Sequence, residues 1–323
     1  MIVVSNSYGQ KICGITDNNL IILPAGEIHL PSRINESLEY YKRHYHCLSE
    51  FIVINAKLNS SKMVMALLHL CKLCNNLFIP FYLEIPYLPY GRSDREAAGN
   101  GVCGVEVFLN QIKNVSGEML KDISTLVPHS EATTKFLKDI FDSYGIEEYT
   151  GWFNKVLRVH DRTYLIKLLS NTRNIQVIPD KGATKYRLDL LFREVVYFEK
   201  VRNSETGKIT GLSICHDKNV LDSDDYREAT FIITDDICDG GGTFVLVAKK
   251  LREKFGSNIK IVLATPHVIL KAYDLESFEA GEKPLEGIDL VICSDSCRTF
   301  PKEISDNNYY QFGNPIIFQV ENY

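Results

Sequence analysis

Short apolar runs, set off by polar and turn-forming residues, alternate along this chain with stretches of helical periodicity. Phe231-Ile-Ile-Thr234 is β-rich without in–out alternation, the pattern of a strand buried on both faces. From Phe244 onward, Val247, Leu251 and Phe255 fall at helical spacing. The same reading predicts strands at residues 175–178, 195–200, 259–264 and 290–293. In the first half, apolar runs lie at 2–5, 20–23, 27–30 and 51–55. They precede a helix over 61–74, a strand over 78–86, a helix over 105–116, a strand end at 126–129 and a helix over 131–141. Strands alternating with helices argue for an α/β fold with mainly parallel sheets. Residues 142–159 read as turn-rich and mark a candidate hinge, with a further helix expected over 161–170. Residues 203–225 are polar, contain Gly207 and Gly211, and predict either a β-hairpin or a mobile flap.

A chain of 323 residues accommodates two domains of ordinary size. The hinge places them at residues 1–150 and 151–323. Both halves have α/β character, and no repeat of solenoid length is present. A net charge of -5 without any Lys/Arg block gives no electrostatic footprint for nucleic acid. The apolar start at residues 1–4 is too short for a signal peptide. His69 and Lys72 interrupt the most apolar window, so no membrane partner is expected. Cys71 and Cys74 have C-x-x-C spacing, but they fall in a helical pattern with no second pair to complete a zinc site. Reduced thiols and a cytoplasmic location are therefore expected.

The chemistry concentrates after the Phe231 strand. Asp235 and Asp236 come first, then Asp239-Gly-Gly-Gly-Thr243 and a helix. In open α/β sheets such a loop lies at the carboxyl end of its strand, where ligands bind. The amides of Gly240, Gly241 and Gly242 and the positive end of the helix suit a phosphate. The carboxylates suit hydroxyls or a divalent metal. No Gly-Lys-Ser/Thr ending follows, so this is not a nucleotide P-loop. The plain alternative is a glycine-rich turn.

Four further segments carry charge at strand ends. Pro86-Tyr-Leu-Pro-Tyr-Gly-Arg-Ser-Asp-Arg95 is stiffened by two prolines and presents Arg92, Asp94 and Arg95, whose guanidinium forks suit polyphosphate oxygens. His129 ends a strand and suits a metal or a phosphate. Asp180-Lys-Gly-Ala183 runs from a strand toward a helix and offers the amides of Lys181, Gly182 and Ala183 as an anion nest. Lys200 and Arg202 share a strand face by alternation, beside the polar 203–225 segment. Taken singly, each also reads as ordinary surface or turn.

Together, and in this order, these segments resemble the ribose-phosphate diphosphokinases, the phosphoribosyl pyrophosphate (PRPP) synthetases. Residues 86–95 resemble the family's ATP loop, and His129 its metal- and ATP-contacting histidine. Asp180, Lys181 and Gly182 are similar to its pyrophosphate loop, Lys200 and Arg202 to its catalytic Lys-x-Arg, and residues 235–243 to its ribose-5-phosphate loop. Glu27 is similar to an early glutamate that contacts adenine across a subunit interface. The resemblance implies two type I phosphoribosyltransferase-like domains and a homo-oligomer. It also implies ATP as co-substrate, and Mg²⁺ held among His129, Asp180, Asp235 and Asp236. The expected reaction moves the β,γ-diphosphoryl group of ATP to the C1 hydroxyl of a ribose 5-phosphate unit, releasing AMP.

The chain departs from the family's pattern at several points. Val127-Pro-His129 lacks a metal-site carboxylate, Ser93 replaces a glutamine, Ala25 an aspartate and Ala183 a glycine. Gly240 stands where the family's ribose-phosphate loop has a threonine. Three alternatives therefore stay open: a larger acceptor such as ADP-ribose, a phosphoribosyltransferase that consumes PRPP, and a non-catalytic regulatory subunit of a synthetase.

Overall fold

The computed structural model describes residues 1–45, 51–94, 101–159, 173–202, 209–216, 226, 229–269, 285–297 and 315–319, with the backbone alone at 157–159, 200–202, 209–210, 216 and 315–319. The chain divides into two compact units, one built mainly from Met1–Glu148 and the other mainly from Tyr149–Asp295.

The first unit begins with strands β1 (Ile2–Asn6) and β2 (Lys11–Ile15). A small hairpin follows, β3 (Ile21–Ile22) and β4 (Ile28–His29), then helix α1 (Ser32–Tyr45) and strand β5 (Ile52–Ala56). Helix α2 (Ser61–Leu77), strand β6 (Phe81–Glu84), helix α3 (Gly104–Ser116) and strand β7 (Leu120–Leu126) come next. Helix α4 (Glu131–Ile140) and strand β8 (Tyr144–Glu147) complete the unit. The sheet order is β2-β1-β5-β6-β7-β8. Strands β5 to β8 are mutually parallel, and β1 is antiparallel to both its neighbours.

Helix α2 shows why its residues fold as they do. The Ser60 hydroxyl accepts from the Met63 N–H at 3.3 Å and caps its start. Met63, Ala66, Leu67, Leu70, Cys71 and Cys74 then recur at helical spacing and are all buried. Each large side chain removed from water in this way is worth ~1.5–3 kcal/mol. The Cys71 thiol, pushed up to about 12 by burial, is part of this core.

The second unit starts with helix α5 (Tyr149–Val159) and strands β9 (Asn174–Ile178), β10 (Glu194–Arg202), β11 (Ile209–His216) and β12 (Thr230–Thr234). It continues with β13 (Ile237–Cys238), helix α6 (Gly242–Phe255), β14 (Lys260–Ala264), β15 (His267–Val268), β16 (Leu290–Ser294) and β17 (Pro315–Gln319). Its main sheet has the order β11-β10-β9-β12-β14-β16-β17. The five central strands are parallel, and each edge is closed by an antiparallel strand. Phe231, Ile233, Ile261, Leu263 and Val291 pack in one core with Val247, Ala248 and Leu251 of α6.

Two sequence expectations need correction. Residues 142–159 are not turn-rich: they form β8 and α5, because Trp152, Phe153 and Val156 make a buried helical stripe that the surrounding polar residues mask. Helix α1 was not expected, since only Ile34, Leu38 and Tyr41 bury among fourteen residues rich in charge and tyrosine. For residues 203–225 the described part is one arm of a hairpin, with β11 antiparallel to β10 from His216 to Ile209. The expected helix at 161–170 lies outside the described residues.

Candidate active site

In the second unit the strand order turns between β9 and β12. From β9 the chain passes to β10 on one side; from β12 it passes through β14 to β16 on the other. Such a switch point leaves a crevice at the carboxyl ends of the two strands. Asp180 follows β9 by two residues, and Asp235 and Asp236 follow β12 directly.

The aspartate pair is tightly held. The Asp235 carboxylate accepts from the Asp236 N–H at 2.9 Å, and the Asp236 carbonyl accepts from the His267 N–H at 3.0 Å. Asp236 is buried, while Asp235 keeps a partly exposed edge. Desolvation first, then the Asp236 charge, hold the Asp235 carboxyl well above the usual carboxylate range, and Asp180 adds to this. Adjacent carboxylates out of water call for a cation or hydroxyl donors. The all-oxygen donor set suits a hard cation such as Mg²⁺, which takes one or two carboxylates and completes its shell with water and phosphate oxygens. Among the described residues no three His, Cys, Asp or Glu side chains converge on one metal position.

Below the pair lie residues whose placement the sequence did not reveal. The Tyr149 hydroxyl donates to the Ala264 carbonyl at 2.7 Å, and its ring centroid is 5.0 Å from that of Tyr186. Burial, then the charges of Asp235 and Asp236, push both phenols up, so both stay protonated. Gln176, fully buried in β9, donates to the Thr234 hydroxyl and to the Tyr186 carbonyl, each at 2.8 Å. Its own carbonyl accepts from the Leu188 N–H at 3.0 Å. One amide thus ties β9, β12 and the Asp180 loop together. A glutamine amid the apolar residues of a strand was the available signal.

The two phosphate-loop candidates differ in state. In the Asp180 loop, the Asp180 carboxylate accepts from the N–H groups of Gly182 at 2.8 Å and Ala183 at 3.2 Å, capping a 3-10 turn, Lys181–Tyr186. Lys181 and Gly182 are exposed. In the glycine loop, Gly241 precedes α6 with φ +72, a left-handed conformation that favours glycine, and no side chain caps the helix. A Cβ at Gly240 or Gly242 would meet nothing within 4 Å. Asp239 is exposed and Thr243 half-buried at the start of the helix. Lys200 and Arg202 lie on β10, opposite Leu212 and Ile209, where β11 carries one extra residue; their side chains lie outside the described residues.

In the first unit the loops after the parallel strands β6 and β7 converge. The Thr125 hydroxyl and the Leu126 N–H both donate to the Pro86 carbonyl, at 3.1 and 3.0 Å. A Cβ on Gly91 would come 3.9 Å from that of His129, so the Arg92 loop and the histidine are neighbours. Tyr90 and Val127 flank this contact with φ +62 and +41. Left-handed backbone at a β-branched residue is strained, a cost of roughly 1–3 kcal/mol that concentrates at functional sites. Arg92 is exposed, Asp94 buried and His129 half-buried; Arg95 lies outside the described residues. Ser93 has a structural task, its hydroxyl accepting from the Gly104 N–H at 3.3 Å where α3 begins. Glu27 is exposed in the β3–β4 turn, its carbonyl accepting from the Leu23 N–H at 2.9 Å.

This α/β architecture, with mostly parallel sheets and ligand-type loops at strand ends, is a phosphoribosyltransferase-type fold. A phosphoribosylpyrophosphate synthetase from Mycobacterium smegmatis superposes with a TM-score of 0.54 at 17% identity, covering 78% of this chain and 80% of that one. At that identity the likeness establishes the fold. A hypothetical protein from Neisseria gonorrhoeae with bound ppGpp matches with a TM-score of 0.27 at 12% identity, covering 38% of this chain and 70% of its own. A purine phosphoribosyltransferase from Pyrococcus horikoshii Ot3 matches with a TM-score of 0.25 at 15% identity, covering 36% and 80%. Neither superposes well enough to carry an argument. No protein-family model and no curated protein matches the chain. Among the described residues no helix is long and apolar enough to cross a membrane.

Proposed function

We propose that this protein transfers the β,γ-diphosphoryl group of ATP to the C1 hydroxyl of a ribose 5-phosphate unit, in a Mg²⁺-dependent reaction. The observation that carries the reading is the switch point of the second unit, where the Asp180 loop and the Asp235–Thr243 loop follow neighbouring parallel strands. The acceptor oxygen attacks the β-phosphorus, a C1–O–P bond forms, the bond from that phosphorus to the α,β-bridging oxygen breaks, and AMP leaves. The C1 hydroxyl proton passes to solvent. Such chemistry asks a protein mainly for positioning and charge stabilisation.

Asp235 and Asp236 would hold the ribose hydroxyls, and the amides of residues 239–243 the 5-phosphate. Arg92 and Arg95 would hold ATP phosphates beside His129, with Asp94 supporting the loop and Glu27 reaching adenine in a homo-oligomer. Lys200 and Arg202 would stabilise charge on the group in transfer, and Asp180, Lys181 and Gly182 would receive the diphosphate. Mg²⁺, when bound, would neutralise phosphate charge, with Asp180, Asp235 and Asp236 its candidate ligands in the second unit and His129 in the first. Phosphorus NMR tests the reading: ATP, Mg²⁺ and ribose 5-phosphate should yield AMP and a diphosphate ester at C1. Formation of ADP, or no reaction with either ribose 5-phosphate or ADP-ribose, contradicts it.

A second reading keeps the chemistry and enlarges the acceptor, as in ADP-ribose. The open space beside Gly240 and Gly242 favours it. A 5-phosphate carrying a further substituent offers fewer oxygens to bind, and the loop supplies no side-chain hydroxyl before Thr243.

A further inference from the structure

A groove runs along the first unit between the edge strand β2 and helix α1. One part is a cavity of about 390 Å³ whose lining includes Lys11, Arg33, Thr16 and Ser37 and no acidic side chain. Lys11 and Arg33 are exposed, and among the described residues neither makes a hydrogen bond or an ion pair. Both charges act on the Cys13 thiol beneath them, against the burial that pushes it up to about 11. Gly14 gives the room: a Cβ there would meet the Lys11 side chain at 3.2 Å. Two cationic side chains with hydroxyls beside them, on a chain of net charge -5, are suited to an anion.

The adjoining part, of about 490 Å³, shares Lys11, Ile12 and Ser37 with the first. Its lining adds Gln10, whose Oε1 accepts from the Asn6 amide at 3.0 Å, and Tyr40 and Tyr45, both about half exposed, with the Tyr40 ring stacked on His44 at 4.1 Å between centroids. Glu36, one helical turn after Arg33, lines this part and not the first. Aromatic faces and an amide suit a base, and a carboxylate suits ribose hydroxyls. The strand order places β2 three strand spacings from β6, roughly 14 Å at the usual inter-strand distance, so this is not the Arg92 loop.

We propose that this groove binds a nucleoside phosphate, with the phosphate at Lys11 and Arg33 and the nucleoside toward Tyr40 and Tyr45. The proposal stands apart from the catalytic reading, and hydrogen–deuterium exchange on the full chain separates the two. AMP should slow exchange in β2 and the amino-terminal half of α1. The double variant Lys11→Ala/Arg33→Ala should abolish that protection, and leave unchanged any protection at residues 86–94 and 235–243. By calorimetry, AMP binding at this site should weaken at least tenfold in the double variant. Tyr40→Ala should weaken AMP severalfold and leave inorganic phosphate unaffected. Absence of protection in β2 and α1 at millimolar AMP, or protection that survives in the double variant, overturns the site. Equal affinity for AMP and inorganic phosphate, with Tyr40→Ala silent, overturns the nucleoside assignment. Both mutated cations are exposed, and an unchanged melting temperature establishes that the double variant is folded.

Discussion

The Asp180 carboxylate holds the Gly182 N–H at 2.8 Å, so the loop fills its own anion nest. A diphosphate reaching for those amides must displace it. Asp180→Ala removes a cap and should lower stability by about 1 kcal/mol, a melting shift of roughly 2–4 °C. Without Mg²⁺ the same variant should bind inorganic diphosphate at least as tightly as the wild type, because the competing carboxylate is gone. Calorimetry reads both, and weaker diphosphate binding in metal-free buffer would show that the carboxylate is no competitor.

Asp235 gives a stability prediction with a definite sign. Its folded pKa is raised, so its contribution is fully favourable below the unfolded value of about 3.9 and is lost as pH rises through the folded value. At neutral pH, above the unfolded value, Asp235 therefore makes the ligand-free protein less stable than it is in acid. Asp235→Asn should melt higher than the wild type at pH 7, with the difference vanishing near pH 4, while acceptor binding weakens. A lower melting temperature at pH 7 contradicts the electrostatic account.

Two neighbouring glycines should respond differently to the same change. Gly240 has open space and an unstrained backbone, so Gly240→Thr should fold normally. It should improve use of ribose 5-phosphate and impair any bulkier acceptor, since a hydroxyl to a dianion is worth roughly 1.5–3 kcal/mol. Gly241 sits at φ +72, so Gly241→Thr should be destabilised by ~1 kcal/mol or more. Melting curves and rates for the two variants, compared side by side, check this.

Lys200 is assigned to the transition state on its Lys-x-Arg spacing. Lys200→Ala should lower turnover by roughly 10²–10³-fold or more with little change in ATP affinity. Unchanged turnover in the folded variant removes the role.

Five strands of the second unit, β9, β10, β12, β14 and β16, were legible because their apolar runs are bounded by charge and glycine, as at Thr234–Asp235, whereas the two-residue β13 and β15 and the edge strand β17 were not. The Asp235–Thr243 loop was legible for the same reason. Helix α1 was not, because three buried residues in fourteen make too narrow a stripe. Tyr149 and Tyr186 were hidden by distance along the chain: the carbonyl that Tyr149 reaches is 115 residues away, a tertiary relation that no local pattern encodes. The strain at Val127 was equally silent, since a valine before a proline reads as ordinary extended chain.

The most direct test of the central claim is acceptor-dependent AMP release from ATP and Mg²⁺, measured with ribose 5-phosphate and ADP-ribose in parallel. The account predicts AMP release that requires an acceptor and is lost in Asp235→Asn. It further predicts ribose 5-phosphate to be the weaker acceptor if the open space beside Gly240 admits a 5-substituent. No acceptor-dependent AMP with either compound would contradict diphosphotransfer, and efficient use of ribose 5-phosphate with rejection of ADP-ribose would contradict the larger acceptor alone.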